Sequence, residues 1–292
     1  MTTPTWLLFA GPALIWASTW HVILYQLGTV PVLNSVAWRF TLATVLMALL
    51  AKRQRHSLRL PLRAHRMLAA TGIVQYGINY WAVYEAERHI PSGLVAVLFA
   101  LMVFGNALGG WWAFGQRATR GFLIAALCGA AGVALVFWPE IGAAGARPQA
   151  ALGLALGLAA VSAACTGNVL TLRLTRQGLP LLPVLAWSMG YGAAFLLTLA
   201  GVTGVGWQFD FRGPYVLSWL YLSVFGTVIA FFLYFRLAQQ EGPARAALTG
   251  IVIPVIALAV SALFEGWQPT PLAVLGMLFA VGGVWLAQRQ VR

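Results

Sequence analysis

Charge is what this chain lacks. Only 8% of its 292 residues are Asp, Glu, Lys or Arg, while 61% are hydrophobic. A water-soluble domain carries about 25% charged residues because its surface must be wetted. The natural solvent for this composition is lipid. Lysine occurs once, at Lys52 in a connection, so the lysine of a phosphate-binding P-loop is missing and ATP hydrolysis within the chain is excluded. G-x-S-x-G, H-E-x-x-H and paired acids within a helix are absent too, and no enzyme is expected. Cys128 and Cys165 both lie in apolar runs. Neither a disulfide framework nor a cysteine metal site is supported, and no metal or other cofactor is expected.

What is present is an excess of cations, 18 Lys and Arg against 6 Asp and Glu, for a net charge of +12. A basic surface on a soluble core would suggest nucleic acid. Here the cations sit at the ends of apolar segments, so the expected surroundings are a lipid bilayer, with no nucleic-acid partner. Met1 to Thr5 has no Lys or Arg, and the following apolar run contains Trp, Pro and His. It makes a poor signal peptide and reads as a retained helix.

A spanning helix needs about 20 mostly apolar residues. Ten such segments are legible: 6–26, 31–51, 66–86, 91–115, 121–138, 151–172, 182–205, 214–236, 244–264 and 269–288. Several breaks supply proline at a helix start, where its missing N–H costs nothing. With both termini cytoplasmic, 14 of the 18 cations fall on the cytoplasmic side, and five acids (Glu85, Glu87, Glu140, Asp210, Glu265) fall outside. This is the positive-inside pattern.

The text also repeats itself. Pro31-Val-Leu-Asn-Ser-Val-Ala-Trp38 aligns with Pro180-Leu-Leu-Pro-Val-Leu-Ala-Trp187, 149 residues later. The stretch from Pro91 to Ala131-Gly132-Val133 aligns with that from Pro243 to Gly282-Gly283-Val284, at offsets of 152 and 151. The expected fold is therefore an all-α polytopic membrane protein. Ten transmembrane helices form two five-helix repeats, residues 1–140 and 141–292. Five being odd, the repeats cross in opposite directions, an inverted arrangement that serves alternating access about a central cavity.

Candidate site residues are polar or aromatic groups at membrane depth. Arg39 lies eight residues into its segment, roughly 12 Å deep at 1.5 Å per residue, and must face the bundle interior. It either shapes the cavity or attracts a substrate carboxylate. Tyr76, Tyr80 and Tyr84 recur every four residues on one helix face, flanked by Gln75 and Asn79. Trp16 and Trp20 share a face of the first helix, with His21 beside them. Phe99, Met102 and Asn106 are added by the fourth segment, Thr166 and Asn168 by the sixth, Trp187, Ser188 and Tyr191 by the seventh, and Phe225 and Thr227 by the eighth. Such groups need partners or water, which a wet aromatic cavity supplies. Gly105 with Gly109, and Gly153 with Gly157, have the spacing of close helix contacts. Pro12 and Pro254 sit inside spans as hinge candidates.

Trp38-Arg39-Phe40, Pro91-Ser-Gly-Leu-Val-Ala, Pro243-Ala-Arg-Ala-Ala-Leu and Pro254-Val, within two five-helix halves, resemble the drug/metabolite transporter superfamily of EamA type. The run Glu85-Ala-Glu-Arg-His-Ile-Pro-Ser-Gly and the Trp and Tyr content are most similar to its bacterial aromatic amino acid and paraquat exporter branch. The resemblance covers essentially the whole chain. It implies a multi-pass exporter of the bacterial inner membrane with a central cavity, working by alternating access on small-molecule amino acids. A monomer is the partner expectation, though nothing in the sequence fixes the oligomeric state. Small multidrug members of the superfamily use a glutamate on the first helix, and Trp16 to Tyr25 has no acid, so facilitated transport is expected. The expected cargo is aromatic and other neutral, apolar amino acids. A broad metabolite or cationic-drug exporter is the alternative, and a non-transport membrane protein a remote one.

Overall fold

The computed structural model describes residues 5–115, 119–142, 148–241 and 249–289, and every regular element among them is helical. Where water is absent, each backbone N–H and C=O must bond within the protein, and a helix achieves this inside one segment.

Among the described residues the helices group into ten rods. α1 is Thr5–Ile23, closed by a 3₁₀ turn at Leu24–Gln26, and α2 is Val32–Arg53. α3 begins as Leu62–Thr71, widens into a π turn at Gly72–Ile78 and resumes as Asn79–Ala86. α4 consists of Ser92–Phe99 and Met102–Phe114 on either side of a turn at 100–101. α5 is Arg120–Gly142, α6 is Pro148–Arg176 and α7 is Leu181–Val202. α8 runs Gly213–Ser223, through a π turn at Val224–Ile229, to Ala230–Glu241. α9 is Thr249–Phe264 and α10 is Pro271–Arg289.

Six of these rods, α1, α2, α4, α6, α7 and α8, contain spans long and apolar enough to cross a membrane. α5, α9 and α10 contain shorter apolar stretches. Gln75, Asn79 and three tyrosines make α3 more polar. The expected boundaries shift by a few residues: α3 starts at Leu62 rather than 66, and α6 reaches Arg176 rather than 172. The Pro243 motif, with Arg117, Arg147, Arg245 and Arg292, lies outside the described residues.

Proline sets several helix starts. Pro31, Pro61 and Pro91 hold extended ψ of 138°, 136° and 142° just before α2, α3 and α4. Their carbonyls accept the first helical bonds, from Asn34, Ala64 and Leu94 at 2.8–3.0 Å.

The rods pack in a patterned way. α2 lies on α7, α4 on α9 and α5 on α10, while α3 packs on α6 and α1 on α8. Glycines bring some of these pairs to backbone contact. A Cβ on Gly132 would strike Gly276 O and Ala280 of α10, and one on Gly283 would strike Gly129 and Ala125 O of α5. The two helices run antiparallel, glycine face to glycine face. α4 and α6 interlock reciprocally: Gly105 and Gly109 seat Cys165 and Val169, while Gly157 seats Leu98. Such small-residue contacts join helices where lipid removes the hydrophobic drive to associate.

The bundle has two chemically distinct ends. One, the acidic end, gathers Glu87, Asp210 and Glu265. There Thr29 bonds Asp210 at 3.2 Å, and Trp38 Nε1 donates to Gln208 O at 2.8 Å. The basic end gathers Arg53, Arg63, His65 and Arg176, the last lying 4.0 Å over the Phe114 ring.

Candidate functional site

A cavity of about 130 Å³ lies inside the bundle, walled by α1, α2, α3, α4, α6, α8 and α9. α1 contributes Trp16, Thr19, Trp20 and Ile23, and α3 contributes Gln75, Asn79, Tyr80 and Val83. α4 supplies Phe99, Met102 and Asn106, α6 Asn168, α8 Phe231 and Tyr234, and α9 Thr249, Ile253 and Pro254. Arg39 is the one cation in its wall.

Arg39 is buried, with 1% of its surface exposed. Its Nε donates to Thr227 Oγ1 at 2.9 Å, Nη1 to Tyr84 OH at 3.3 Å and Nη2 to Gly226 O at 3.4 Å. The guanidinium carbon lies 4.7 Å above the Tyr80 ring. A desolvated cation is tolerable only when dipoles surround it, and the π turn of α8 creates two of them. It frees the Gly226 carbonyl, which also accepts from Trp16 Nε1 at 3.2 Å, and lets Thr227 Oγ1 donate to Leu222 O. Gly226 is needed there: a Cβ would lie 2.8 Å from Thr19 Cγ2 and 3.2 Å from Arg39 Nη2.

Polar groups continue down one wall. Gln75 Nε2 donates to Asn168 Oδ1 at 3.4 Å, and Asn168 Nδ2 to Asn106 Oδ1 at 3.3 Å, linking α3, α6 and α4. Asn79 Nδ2 donates to Gln75 O at 3.1 Å. Gln75 Oε1 and Asn79 Oδ1 are left without a partner. The other walls are aromatic: Trp16 meets Phe231 at 5.4 Å and Tyr234 at 5.3 Å, and Trp20 meets Phe99 at 5.0 Å, mostly edge to face.

The structure brings Trp16, Trp20, Arg39, Gln75, Asn79, Tyr80, Phe99 and Met102 to this cavity, with Pro254. Five expected residues sit elsewhere. Tyr76 is fully buried between Phe40 and Phe231, against α7, because the wide π turn breaks the four-residue register that would align it with Tyr80. His21 stands at the acidic end, its Nδ1 3.0 Å from Glu265 Oε1. Trp187 and Tyr191 are at the basic end. Trp187 Nε1 donates to Leu58 O at 2.8 Å, and Tyr191 OH lies 2.8 Å from His65 Nδ1. Ser188 is buried where Gly72 meets the α7 backbone. α7 lies behind α2 and α3 and does not reach the cavity. Of the other candidates, Thr166 and Phe225 are exposed, and Pro12 is not in the cavity wall.

Phe231 and Tyr234 were missed. The repeat carried a signal for Phe231 alone: at the 152-residue offset it corresponds to Asn79, whereas Tyr234 corresponds to Ala82. The acidic-end cluster was missed as well. There Glu265 accepts from Ser92 N at 3.0 Å, Ser92 Oγ, Ser261 Oγ at 2.9 Å and His21, so it caps the start of α4 from the bend that follows α9. These bonds hold its carboxyl below the ordinary value despite the opposing effect of burial.

The EamA-like transporter family model matches the chain twice, over residues 3–138 and 151–288. The chain belongs to this family. It is a multi-pass membrane transporter. Among curated relatives it is 23% identical to the uncharacterised transporter YvbV of Bacillus subtilis, over 97% of this chain and 91% of that one. It is 23% identical to protein PecM of Dickeya dadantii, over 76% of this chain and 73% of the other. A third relative, from Streptantibioticus cattleyicolor and named "Probable terminal-alkyne amino-acid exporter", is 25% identical over 94% and 90% of the two chains. A crystal structure of a protein 18% identical superposes with a TM-score of 0.70, over 96% of this chain and 95% of that one, which shows a shared fold.

Proposed function

We propose that the chain exports aromatic and other neutral, apolar amino acids across the bacterial inner membrane by alternating access, as a facilitator. One observation carries this reading: the cavity wall joins a buried guanidinium and Asn79, whose amide oxygen has no partner, to aromatic rings. A zwitterion with an aromatic side chain has a matching group for each. Arg39 would face the carboxylate, since three of its five N–H donors are engaged. Asn79 Oδ1 would accept from the ammonium. Trp16, Trp20, Tyr80 and Phe99 would take the ring, each aromatic pair contributing about 0.5–1.5 kcal/mol.

The architecture we infer is ten crossings in two inverted halves, 1–140 and 141–292. Two family matches support it, and so does the packing. If α1 to α5 exchange with α6 to α10, α2·α7, α4·α9 and α5·α10 map onto themselves, and α3·α6 maps onto α1·α8. The π turns obey the same exchange, Val224 standing 152 residues after Gly72. We place the basic end and both termini in the cytoplasm and the acidic end outside.

Cationic cargo is disfavoured by Arg39, whose charge already occupies the Tyr80 face. Efflux of labelled tryptophan, phenylalanine and a dicationic drug from cells expressing the chain tests the choice. We expect the amino acids to be exported and the dication retained. Export of the dication alone would overturn the assignment.

A further inference from the structure

Among the described residues, one buried acid has no part in binding the substrate. Glu87 follows the last residue of α3 at the acidic end, 6% exposed, and neither carboxylate oxygen has a hydrogen-bond partner. An isolated buried carboxylate is too costly to keep ionised and takes a proton instead. On α2, Arg39 acts on Glu87 through space, but its donors go to Thr227, Tyr84 and Gly226. Beyond α9, Glu265 repels it while bonded to His21 of α1 and to Ser92 and Ser261. On its own helix Tyr84 OH bonds Gln26, and Glu85 pairs with Arg88 at the surface. His89 faces Gly153 of α6, and Tyr215 of α8 bonds Ser35. None of these groups neutralises Glu87 by contact.

We propose that Glu87 is a proton-binding site that holds the acidic end closed, protonated while that end is sealed and ionised once it opens. The proposal rests on the alternating-access reading given above. Glu87 stands five residues before Ser92, through which Glu265 ties the start of α4 to α9 and α1. Separating those elements would admit water to the carboxyl. Burial and the neighbouring Glu265 carboxylate push Glu87 well above the ordinary value of 4.5. The closed form thus binds the proton more tightly than the open form. Low pH at the acidic end favours closure, and that preference is lost as pH rises through the raised value. Between the two values the closed-to-open ratio changes by up to about tenfold per pH unit. Because the proton enters and leaves on one side, it gates transport without being transported.

The test begins with an infrared pH titration of the full chain in lipid nanodiscs. A protonated-carboxyl band persisting well above pH 4.5 should be present in the wild type and in Glu265→Gln but missing in Glu87→Gln. A band unchanged in Glu87→Gln would overturn the proposal. The second arm follows tryptophan exchange in oriented liposomes as the pH at the acidic end is varied. Wild-type rates should rise with pH, while Glu87→Gln, which mimics the protonated form, stays flat and low. A pH response that survives in Glu87→Gln and vanishes in His21→Gln would assign the gate to His21 and overturn it. Absence of any tryptophan flux would sink the functional reading, with the infrared band still deciding Glu87.

Discussion

Arg39 Nε donates to Thr227 Oγ1 at 2.9 Å, joining residues 188 positions apart and one from each family-matched segment. Thr227 can accept because the π turn lets its own hydroxyl proton go to Leu222 O at 2.8 Å. Thr227→Val removes the acceptor and leaves a buried cationic donor unbonded, at a cost of about 1–3 kcal/mol. Thermal unfolding in detergent should register this loss, and Thr227→Ser should recover most of it. Equal stability of the Val and Ser variants would show that the bond contributes nothing.

Helix crossings at glycine carry a second expectation. A Cβ on Gly72 would overlap Ser188 O and crowd Tyr191 and Gly192 of α7, whereas one on Gly282 meets nothing within 4 Å. Gly72→Ala should lower thermal stability by about 1–3 kcal/mol, the usual range for overpacking. Gly282→Ala, measured beside it, should be neutral or slightly stabilising.

The tyrosines of α3 should separate into different phenotypes. Tyr80 lines the cavity, so Tyr80→Ala should weaken aromatic substrate affinity by about 2- to 10-fold, following the 0.5–1.5 kcal/mol of one aromatic pair, with expression intact. Tyr80→Phe keeps the ring and should transport. Tyr76 packs on Phe40 and Phe231, so Tyr76→Ala should act first on folded yield. Saturation binding of tryptophan to purified variants, set against their size-exclusion profiles, distinguishes the two.

Glu265 supplies a pH dependence of stability. Its carboxyl is held below 4.5 by bonds from Ser92, His21 and Ser261. A depressed carboxyl stabilises above its ordinary value, and that contribution is lost as pH falls through the depressed one. Wild-type unfolding temperature should drop on acidification below about pH 4.5, and Glu265→Gln should show a smaller drop. Identical profiles would dissociate Glu265 from the clamp.

Much of this molecule is legible in its sequence. Charge scarcity and apolar runs pointed to lipid, and Pro31 and Pro91 marked helix starts that the structure keeps. Arg39 had to face inward because lipid cannot solvate it. Two features were hidden for physical reasons. A π turn has no signature in four-residue spacing, so Tyr76 could not be told from Tyr80. Helix faces also cannot be ranked by polarity when two buried sides exist, and α7 put Trp187 and Tyr191 on His65 and Leu58 instead of the cavity. Glu87 and Glu265 count in the sequence as external loop acids, because charge counting does not see burial.

Counterflow of labelled tryptophan into liposomes preloaded with unlabelled tryptophan, using the purified chain, tests substrate and cavity together. Wild-type protein should accumulate label transiently without an imposed gradient, and folded Tyr80→Ala should accumulate less. No uptake by folded wild-type protein, or equal uptake by Tyr80→Ala, would contradict an aromatic amino acid passing through this cavity.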